Sequence, residues 1–333
     1  MANAGWTLHH ARLHGVLRLR QLLPHNGRLL VAVSGGQDSL CLMRLLLDLQ
    51  PKWGWELAIA HCNHRWRADA ADNAAYVEKV AQAWQVPYFC KTAVEIPNSE
   101  AAARAWRYQA LAEMARCFAD TARVAEGYES VVTGHTKSDR AETTLYNLLR
   151  GSGADGLQAL SWQRELVPGI SLVRPLLEMT RTETAEFCQL FHLKVWEDST
   201  NQDLHYARNR IRQELIPYLQ THFNPQVEQA LAQTAELLTA DVDYLEQTAA
   251  DLLQKACSQS GLNRSILQSI PLALQRRVVR QFLQKILPIA PSFDHVEKLV
   301  ELIDAPNRSQ CDPLPGGAIA QVEGDWIQVE SSS

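Results

Sequence analysis

Short apolar runs alternate with longer segments of helical spacing through residues 1–200. The short runs are partly β-branched, as buried parallel strands are, and they lie at residues 29–33, 55–61, 87–91, 130–134 and 171–173. The segments of helical spacing between them are residues 40–49, 70–84, 99–125 and 139–149. This alternation predicts an α/β fold, a parallel sheet with helices on both faces.

The pattern changes after Pro225, where the alternation of strands and helices ends. Residues 227–257 and 292–303 have helical spacing. Residues 317–329 hold two short strand-like runs around Gly324-Asp325, a pair typical of hairpin turns. We therefore predict a first domain at residues 1–222 and a smaller, mainly helical domain at residues 223–333 that ends in a hairpin.

The strongest chemical signal follows the first predicted strand, where Ser34-Gly35-Gly36-Gln37-Asp38-Ser39 leads into an apolar helix. A helix N-terminus directs unpaired N–H groups and the positive end of its dipole at one point, which suits phosphate. No Lys follows the last glycine, so this is not the Walker pattern. An ordinary strand–helix turn would explain two glycines, but all six positions favour the pyrophosphate loop of enzymes that split ATP into AMP and pyrophosphate. Ser34 and Ser39 can donate hydroxyls to phosphate, and Asp38 can hold Mg²⁺.

A second signal begins where the fourth predicted strand ends. Gly134-His135 leads into a helix in which Asp139 and Glu142 are three residues apart and share one face. Two carboxylates beside a nucleotide can bind Mg²⁺ or an ammonium group, but acidic residues in a first helical turn also complement the helix dipole. The residues alone leave both interpretations open, and a single His is more often structural than catalytic.

Three weaker motifs could contact a nucleotide or RNA. They are His61-Cys62-Asn63-His64 at the end of the second strand, Arg104 and Arg107 in the long helix, and Arg208 with Arg212, four residues apart. Arginines beside an ATP site can neutralise phosphate charge, and arginine with aromatic rings suits RNA. A solvated loop, a packed helix with surface arginines and a salt-bridged linker helix are the respective alternatives.

Charge and cysteine content narrow the class of protein. The net charge is −5, so only a local basic patch could indicate nucleic acid. Residues 264–287 form such a patch, because they contain Arg276, Arg277 and Arg280 and no acidic residue.

The seven cysteines form no Cys-x-x-Cys pair, which argues against a zinc site or redox dithiol and favours a cytoplasmic location. No apolar run reaches the length of a membrane span. The first 37 residues lack acidic residues, as transit peptides do, but we expect a helix leading directly into the first strand.

With these motifs in order, residues 28–218 resemble the tRNA(Ile)-lysidine synthetases, a branch of the pyrophosphate-loop (PP-loop) ATPases with an adenine nucleotide alpha-hydrolase-like fold. Besides the motifs above, the resemblance rests on Tyr108, Ala141, Thr143, Arg150-Gly151-Ser152-Gly153, Gly156-Leu157, Arg174-Pro175-Leu176, Asp198, Thr200-Asn201 and Asn209 to Ile211. Two positions depart from the family pattern. Ser138-Asp139-Arg140 stands where the family often has Asp-Asp-Gln, and Trp66-Arg67 where it usually has Leu-Arg.

The resemblance implies a reaction and its ligands. ATP adenylates the wobble cytidine of a CAU-anticodon tRNA(Ile), and free L-lysine then displaces AMP to form lysidine. The implied ATP ligands are Ser34 to Ser39 with His61, Asn63, Gly134 and His135. Asp38 and Asp139 would hold Mg²⁺, Asp139 and Glu142 would bind lysine, and Arg208 and Arg212 would steady phosphate or RNA. For tRNA we expect Arg104, Arg107, Arg276, Arg277 and Arg280, and a homodimer is compatible with the sequence.

Three other functions share parts of this pattern. A tRNA thiolase usually carries sulfur on cysteines or an iron–sulfur cluster, often through Cys-x-x-Cys. A glutamine-dependent amidotransferase needs a glutaminase, and no N-terminal Cys nucleophile is present. A tRNA-binding protein without catalysis would have no need of Asp38, Asp139 and Glu142. We therefore favour the ligase.

Overall fold

The computed structural model describes residues 5–117, 127–197, 203–258 and 261–330. The chain divides into two compact units, residues 1–236 and 237–333. The domain boundary predicted from the sequence lies between residues 222 and 223, which is nearer to the N-terminus than the division between these two units. None of the described helices is long and apolar enough to cross a membrane.

The first unit contains a six-stranded sheet. Its strands are β1 (Arg28–Ala32), β2 (Glu56–Asn63), β3 (Tyr88–Thr92), β4 (Ser130–Thr133), β5 (Gln163–Val167) and β6 (Ile170–Val173). Their order in the sheet is β3-β2-β1-β4-β6-β5. Leu30 of β1 is paired with Ala58 on one side and Val131 on the other, both in parallel register. The five strands predicted from the sequence are therefore present, and they form the parallel part of the sheet.

Strand β5 was not predicted, and it pairs antiparallel to β6. The turn between them contains Pro168-Gly169, and Gly169 has a φ of 80°. Three of the five β5 residues are exposed, because this strand lies at the sheet edge. A charged edge strand lacks the apolar run by which buried strands are recognised.

Helices cover both faces of the sheet, as the alternation of strands and helices predicts. They are α1 (Leu8–Leu19), α2 (Gln37–Trp53), α3 (Ala70–Trp84), α4 (Glu100–Cys117), α5 (Lys137–Leu149), α6 (Ala154–Leu157), α7 (Arg181–Leu190), α8 (Ala207–Arg210) and α9 (Ile216–His222). Leu29 and Val31 of β1 pack against α1, α2, α3 and α7. Leu30, between them, faces the opposite side with Leu111 and Met114 of α4. The helix predicted over residues 99–125 extends beyond α4 into residues 118–126, outside the described part of the chain.

The rest of the chain is mainly helical, with a small antiparallel sheet. Its elements are α10 (Val227–Ala256), β7 (Gly261–Asn263), α11 (Arg264–Gln268), α12 (Leu272–Ile286), α13 (Phe293–Glu301), β8 (Ile319–Glu323) and β9 (Trp326–Glu330). Strands β8 and β9 form the predicted hairpin around Gly324 and Asp325. Strand β7 was not predicted, because it has only three residues. The second unit has its own core, in which Phe282, Leu299 and Ile327 are buried.

The sheet topology determines where the motifs meet. Ser34 follows β1, His61 and Asn63 end β2, Gly134 follows β4 and Arg174 follows β6. Because these four strands are parallel, their carboxyl ends lie at one edge of the sheet, where ligands bind in open α/β sheets.

Candidate active site

The loop after β1 is closed by its own hydroxyl groups. The Gly36 N–H donates to Ser34 Oγ at 3.3 Å, and Ser39 Oγ donates to the Gly36 carbonyl at 2.9 Å. Gly35 has a φ of +88°, and a Cβ atom there would lie 2.8 Å from Asn73 Nδ2. The first glycine is therefore favoured by its positive φ, and the close approach of Asn73 leaves little room for a side chain. The result is a compact loop at the N-terminus of α2, where backbone N–H groups are available to an anion.

Asp38 lies in the first turn of α2 and is held by α7. Arg181 Nη1 donates to Asp38 Oδ2 at 2.9 Å, and the Thr184 hydroxyl donates to Asp38 Oδ1. Gln37 Nε2 reinforces this contact by donating to the Arg181 carbonyl at 2.6 Å. Burial raises the pKa of Asp38 above its usual value, although the Arg181 guanidinium opposes this effect. Helix α7 thus orients the carboxylate that the sequence predicts as a Mg²⁺ ligand.

Gly134 brings the second motif against the first. A Cβ atom on Gly134 would lie 2.8 Å from the Asp38 carbonyl oxygen, so the end of β4 directly contacts the first turn of α2. His135 follows, and its Nδ1 lies 2.9 Å from the Thr133 hydroxyl. Burial, with Arg174 and other nearby arginines, lowers the pKa of His135 to about 3. This imidazole is therefore neutral at physiological pH, suited to hydrogen bonding and not to pairing with phosphate charge.

The carboxylates of Asp139 and Glu142 are buried and form a cluster with two half-buried arginines. Arg208 Nη2 donates to Asp139 Oδ1 at 3.1 Å, and Arg208 Nε donates to Glu142 Oε2 at 2.9 Å. Arg212 Nε donates to Glu142 Oε1 at 2.6 Å. Although burial raises it, the pKa of Asp139 is lowered overall, chiefly by Arg208. The two carboxylates are balanced by two guanidiniums, so all four side chains predicted to be catalytic here lie together.

Arg208 and Arg212, the two arginines that contact Glu142, lie on consecutive helical segments. Helix α8 ends at Arg210 and continues as a five-residue π-helical segment, Ile211–Leu215, that contains Arg212. Short π-helical segments often occur at functional sites. A salt-bridged helix and an active-site helix were alternatives from the sequence, and this segment has the features of both.

His61 and Asn63 lie beside the loop but also stabilise it. The His61 Nδ1–H donates to the Val33 carbonyl at 2.8 Å, and burial lowers the pKa of His61. Asn63 uses both ends of its amide, since Nδ2 donates to the Ala70 carbonyl and Oδ1 accepts from the Arg65 N–H. These contacts order the connection after β2, and a role in nucleotide binding stays a prediction.

A cleft of about 350 Å³ opens beside the ion cluster. Its lining includes Gln37, Ser138, Glu142, Arg181, Arg212 and Glu228. Ser138 Oγ donates to Glu228 Oε2 at 3.3 Å. The cleft therefore presents carboxylates, which can pair with an ammonium group, and guanidiniums, which can pair with a carboxylate. A free amino acid carries both of these groups.

The donor chemistry of the site fits Mg²⁺. Among the described residues, no group of three or more His, Cys, Asp or Glu is placed to hold a metal ion. Mg²⁺ is commonly held by one or two carboxylates together with substrate phosphates. Asp38 and Asp139 are close enough for the charge of Asp139 to act on the pKa of Asp38. These two carboxylates, beside a loop whose backbone N–H groups are available to an anion, meet that requirement.

The predicted RNA-binding residues differ in their surroundings. On α4, exposed Arg104 lies over the Tyr108 ring at 5.4 Å, and Arg107 Nε donates to His64 Nε2 at 3.3 Å. This hydrogen bond connects helix α4 to the residues that directly follow β2.

The basic patch on α12 is neutralised by acidic residues from other helices. Arg276 forms a two-point ion pair with Glu297, with both bonds at 2.7 Å. Arg277 and Arg280 both pair with Glu246, at 3.1 and 2.6 Å. The patch is thus less basic than its sequence indicates, and tRNA contact by these arginines stays a prediction.

The Asp198-Ser199-Thr200-Asn201 part of the family pattern lies outside the described residues. Sequence reasoning did not include Arg181, Thr184 or Glu228 in the site. Thr180 and Glu183 form a capping box that marks the start of α7. This motif can be recognised in the sequence, and it places Arg181 and Thr184 in the first turn of a helix. Glu228 is 90 residues from Ser138 along the chain, so spacing could not reveal that contact.

Comparisons with known proteins agree with this geometry. A family model described as a PP-loop domain matches residues 12–219, and one described as a TilS substrate binding domain matches residues 262–325. A U34-tRNA thiolase, NcsA from Methanococcus maripaludis with its 4Fe-4S cluster, has a TM-score of 0.56. It is 16% identical and covers 69% of this chain and 79% of its own. At that identity the likeness shows the fold alone.

Two relatives match nearly end to end. A tRNA(Ile)-lysidine synthase from Nostoc sp. is 62% identical over 97% of this chain and 96% of its own length. A protein of the same name from Synechocystis sp. is 53% identical over 97% of this chain and 98% of its own. The fold, the loop after β1 and these relatives together show that the chain belongs to the tRNA(Ile)-lysidine synthase family.

Proposed function

We propose that this chain joins L-lysine to C2 of the wobble cytidine in a CAU-anticodon tRNA(Ile), consuming ATP and releasing AMP and diphosphate. The product, lysidine, changes codon recognition from AUG to AUA and amino-acid identity from methionine to isoleucine. One observation carries the proposal. The Ser34–Ser39 loop and the Asp139–Glu142 helix begin at the ends of the neighbouring strands β1 and β4, and Gly134 brings them into contact.

The first step is adenylation of the cytidine. The cytidine O2 attacks the α-phosphorus of ATP, and the bond to pyrophosphate breaks. The N-terminus of α2 and the Ser34 and Ser39 hydroxyls bind the departing pyrophosphate. Asp38 and Asp139 would hold Mg²⁺, which when bound would offset phosphate charge. His61, Asn63, Gly134 and His135 border the nucleotide at the adjoining strand ends.

The second step is attack by lysine. The ε-amine has an ordinary pKa of about 10.4, so it must lose a proton before it attacks C2. The new C–N bond forms as the C2–O bond breaks, and AMP leaves with the electron pair. Asp139 and Glu142 provide the negative charge of the lysine site. Arg208 and Arg212 hold those carboxylates in place and steady the phosphate or RNA.

The tRNA partner is assigned by family membership. Arg104 and Arg107 on α4 are our candidates for contact near the reacting base. Arg276, Arg277 and Arg280 are candidates in the region after residue 222, which we assign to tRNA binding. Charge reversal at those three positions that leaves tRNA affinity unchanged would remove them from the tRNA-binding surface. The location that corresponds to this function is the cytoplasm.

Family membership sets the thiolase and amidotransferase alternatives aside. A further observation weighs against sulfur transfer through Cys62, the cysteine near the site. Burial raises the pKa of Cys62 to about 12. Its thiol is therefore protonated at neutral pH, whereas a thiolate is the reactive form.

The proposal is tested by AMP release from ATP in the presence of Mg²⁺. We expect sustained release only with both lysine and unmodified CAU-anticodon tRNA(Ile), and not with methionine tRNA. Release of AMP with a different tRNA and without lysine would agree with adenylation by this enzyme but would contradict the ligation of lysine. Absence of release with any tRNA would favour a tRNA-binding protein without catalysis.

A further inference from the structure

The two departures in the motif Ser138-Asp139-Arg140 face the same helix. Ser138 Oγ contacts Glu228 Oε2 at 3.3 Å, and Arg140 Nη1 donates to Glu236 Oε2 at 2.7 Å. Both glutamates belong to α10, eight residues apart. The two residues that differ from the Asp-Asp-Gln often found in the family therefore each contact a carboxylate on α10.

The two glutamates differ in how their charge is balanced. Glu236 pairs with Arg20 and Arg140, each at 2.7 Å. Glu228 takes part in none of the ion pairs found among the described residues, and it borders the cleft with Ser138. An aspartate at position 138 would place a second carboxylate beside Glu228 and repel it. Ser138 thus permits a carboxylate to enter the cleft from α10.

The chemistry of lysine determines which of its groups this carboxylate suits. The ε-amine must be neutral to attack, and a carboxylate that stabilised the ε-ammonium would oppose loss of its proton. The α-ammonium takes no part in the reaction and remains charged. Resting on the proposed function, we propose that Glu228 binds the α-ammonium of the lysine substrate and that Ser138 positions this carboxylate.

The test compares the KM for lysine in labelled-lysine incorporation by wild type and Glu228→Gln, with saturating ATP and tRNA(Ile). Removing a charge-assisted contact predicts a rise in KM of about 10- to 100-fold, with kcat and the KM for ATP changed by less than about threefold. Glu186→Gln is the matched control, because Glu186 is exposed on α7 in the same unit. The control is expected to keep the wild-type KM.

A substrate analogue identifies the group that is bound. 6-Aminohexanoate has the reactive amine but no α-ammonium. Wild type is expected to prefer lysine over it by about 10-fold or more in kcat/KM, and Glu228→Gln is expected to lose most of that preference. The double variant Ser138→Asp/Glu228→Gln, which moves the carboxylate across the contact, is expected to recover part of the wild-type KM.

The outcomes separate this inference from the proposed function. An unchanged KM for lysine in Glu228→Gln, with active wild type, would overturn the inference alone. A fall in kcat with equal changes in the KM for ATP and lysine would indicate a structural role and overturn it as well. Failure of wild type to incorporate lysine would overturn the proposed function and the inference together.

Discussion

At the scale of single residues, the site is built from charges that compensate one another. Asp38 is held by Arg181 and Thr184, while Asp139 and Glu142 share Arg208 and Arg212. Removing one member of a buried ionic group generally costs more than the group contributes, because a partner charge is left without compensation. We therefore expect substitutions in this cluster to affect stability as well as the proposed catalysis.

Glu142 provides the clearest case, since its side chain is 1% exposed and contacts both arginines. Glu142→Gln is expected to lower the free energy of unfolding by about 1–3 kcal/mol. This loss is smaller than for a fully buried ion pair, because the arginines are partly exposed to solvent. Urea denaturation measures this loss. Glu165→Gln, on the exposed face of β5, is the control and is expected to change stability by less than about 0.5 kcal/mol. Equal effects for the two variants would contradict the account of the cluster.

The individual roles of the two arginines can be separated by measuring adenylation. If Arg208 and Arg212 contribute equally to holding Glu142, Arg208→Ala and Arg212→Ala should both reduce tRNA-dependent ATP–pyrophosphate exchange by a similar factor. Loss of exchange in Arg212→Ala alone would exclude an equal role. Arg18→Ala, at an exposed position on α1, is a suitable control for the removal of an arginine.

His135 predicts how stability depends on pH. Its pKa is lowered from an ordinary 6.5 to about 3, chiefly by burial, with Arg174, Arg208 and Arg104 opposing Asp139. As pH falls below 6.5, the unfolded chain takes up this proton first, so the contribution of His135 to stability is lost between pH 6.5 and 3.

Wild type should therefore lose more stability than His135→Asn when the pH is lowered from about 7.5 to about 5, as measured by urea unfolding at each pH. His222→Asn controls for removal of an exposed histidine. A pH dependence in His135→Asn equal to that of wild type would contradict a neutral, half-buried His135.

Sequence spacing reveals which residues share a face but not which residues neutralise them. Asp139 and Glu142 lie together as their spacing predicts, yet Arg208 is 66 residues from Glu142 along the chain. For the same reason Arg276, Arg277 and Arg280 form a basic patch in the sequence, whereas Glu246 and Glu297 neutralise it in the fold. Charge compensation depends on tertiary packing, which a single sequence does not contain.

At the scale of secondary-structure elements, the central strands were predictable because each is a buried apolar run that ends in a polar or glycine motif. Leu30 and Val131 are fully buried and occur in such runs. Strand β5 failed this criterion because it is charged and lies at the edge, and β7 because it is short. The helices α2 and α5 were predictable for a related reason, since each begins a few residues after a strand and carries an acidic residue, Asp38 or Asp139, in its first turn.

The close contact between β4 and α2 yields a prediction at this scale. Gly134→Ala would place a methyl group 2.8 Å from the Asp38 carbonyl oxygen and force the elements apart. We expect a loss of about 1–3 kcal/mol in unfolding free energy and weaker ATP binding, measured by urea denaturation and calorimetric titration. At exposed Gly5, a Cβ atom would meet no other atom within 4 Å. Gly5→Ala should therefore leave both quantities near wild type, and a similar result for Gly134→Ala would contradict the contact.

At the scale of the whole molecule, the first unit, which the PP-loop family model matches, places the loop after β1 and a carboxylate cluster at the carboxyl ends of its parallel strands. The second unit has a separate core around Phe282 and Leu299. The family model for the substrate binding domain matches residues 262–325, within that unit. This organisation agrees with a division between adenylation chemistry and recognition of a large substrate.

The most direct test of the central claim is incorporation of labelled lysine into unmodified CAU-anticodon tRNA(Ile) in the presence of ATP and Mg²⁺. We predict ATP-dependent incorporation into this tRNA and none into methionine tRNA, with loss of incorporation in Asp38→Asn. Absence of incorporation by wild type, or equal labelling of both tRNAs, would contradict the account.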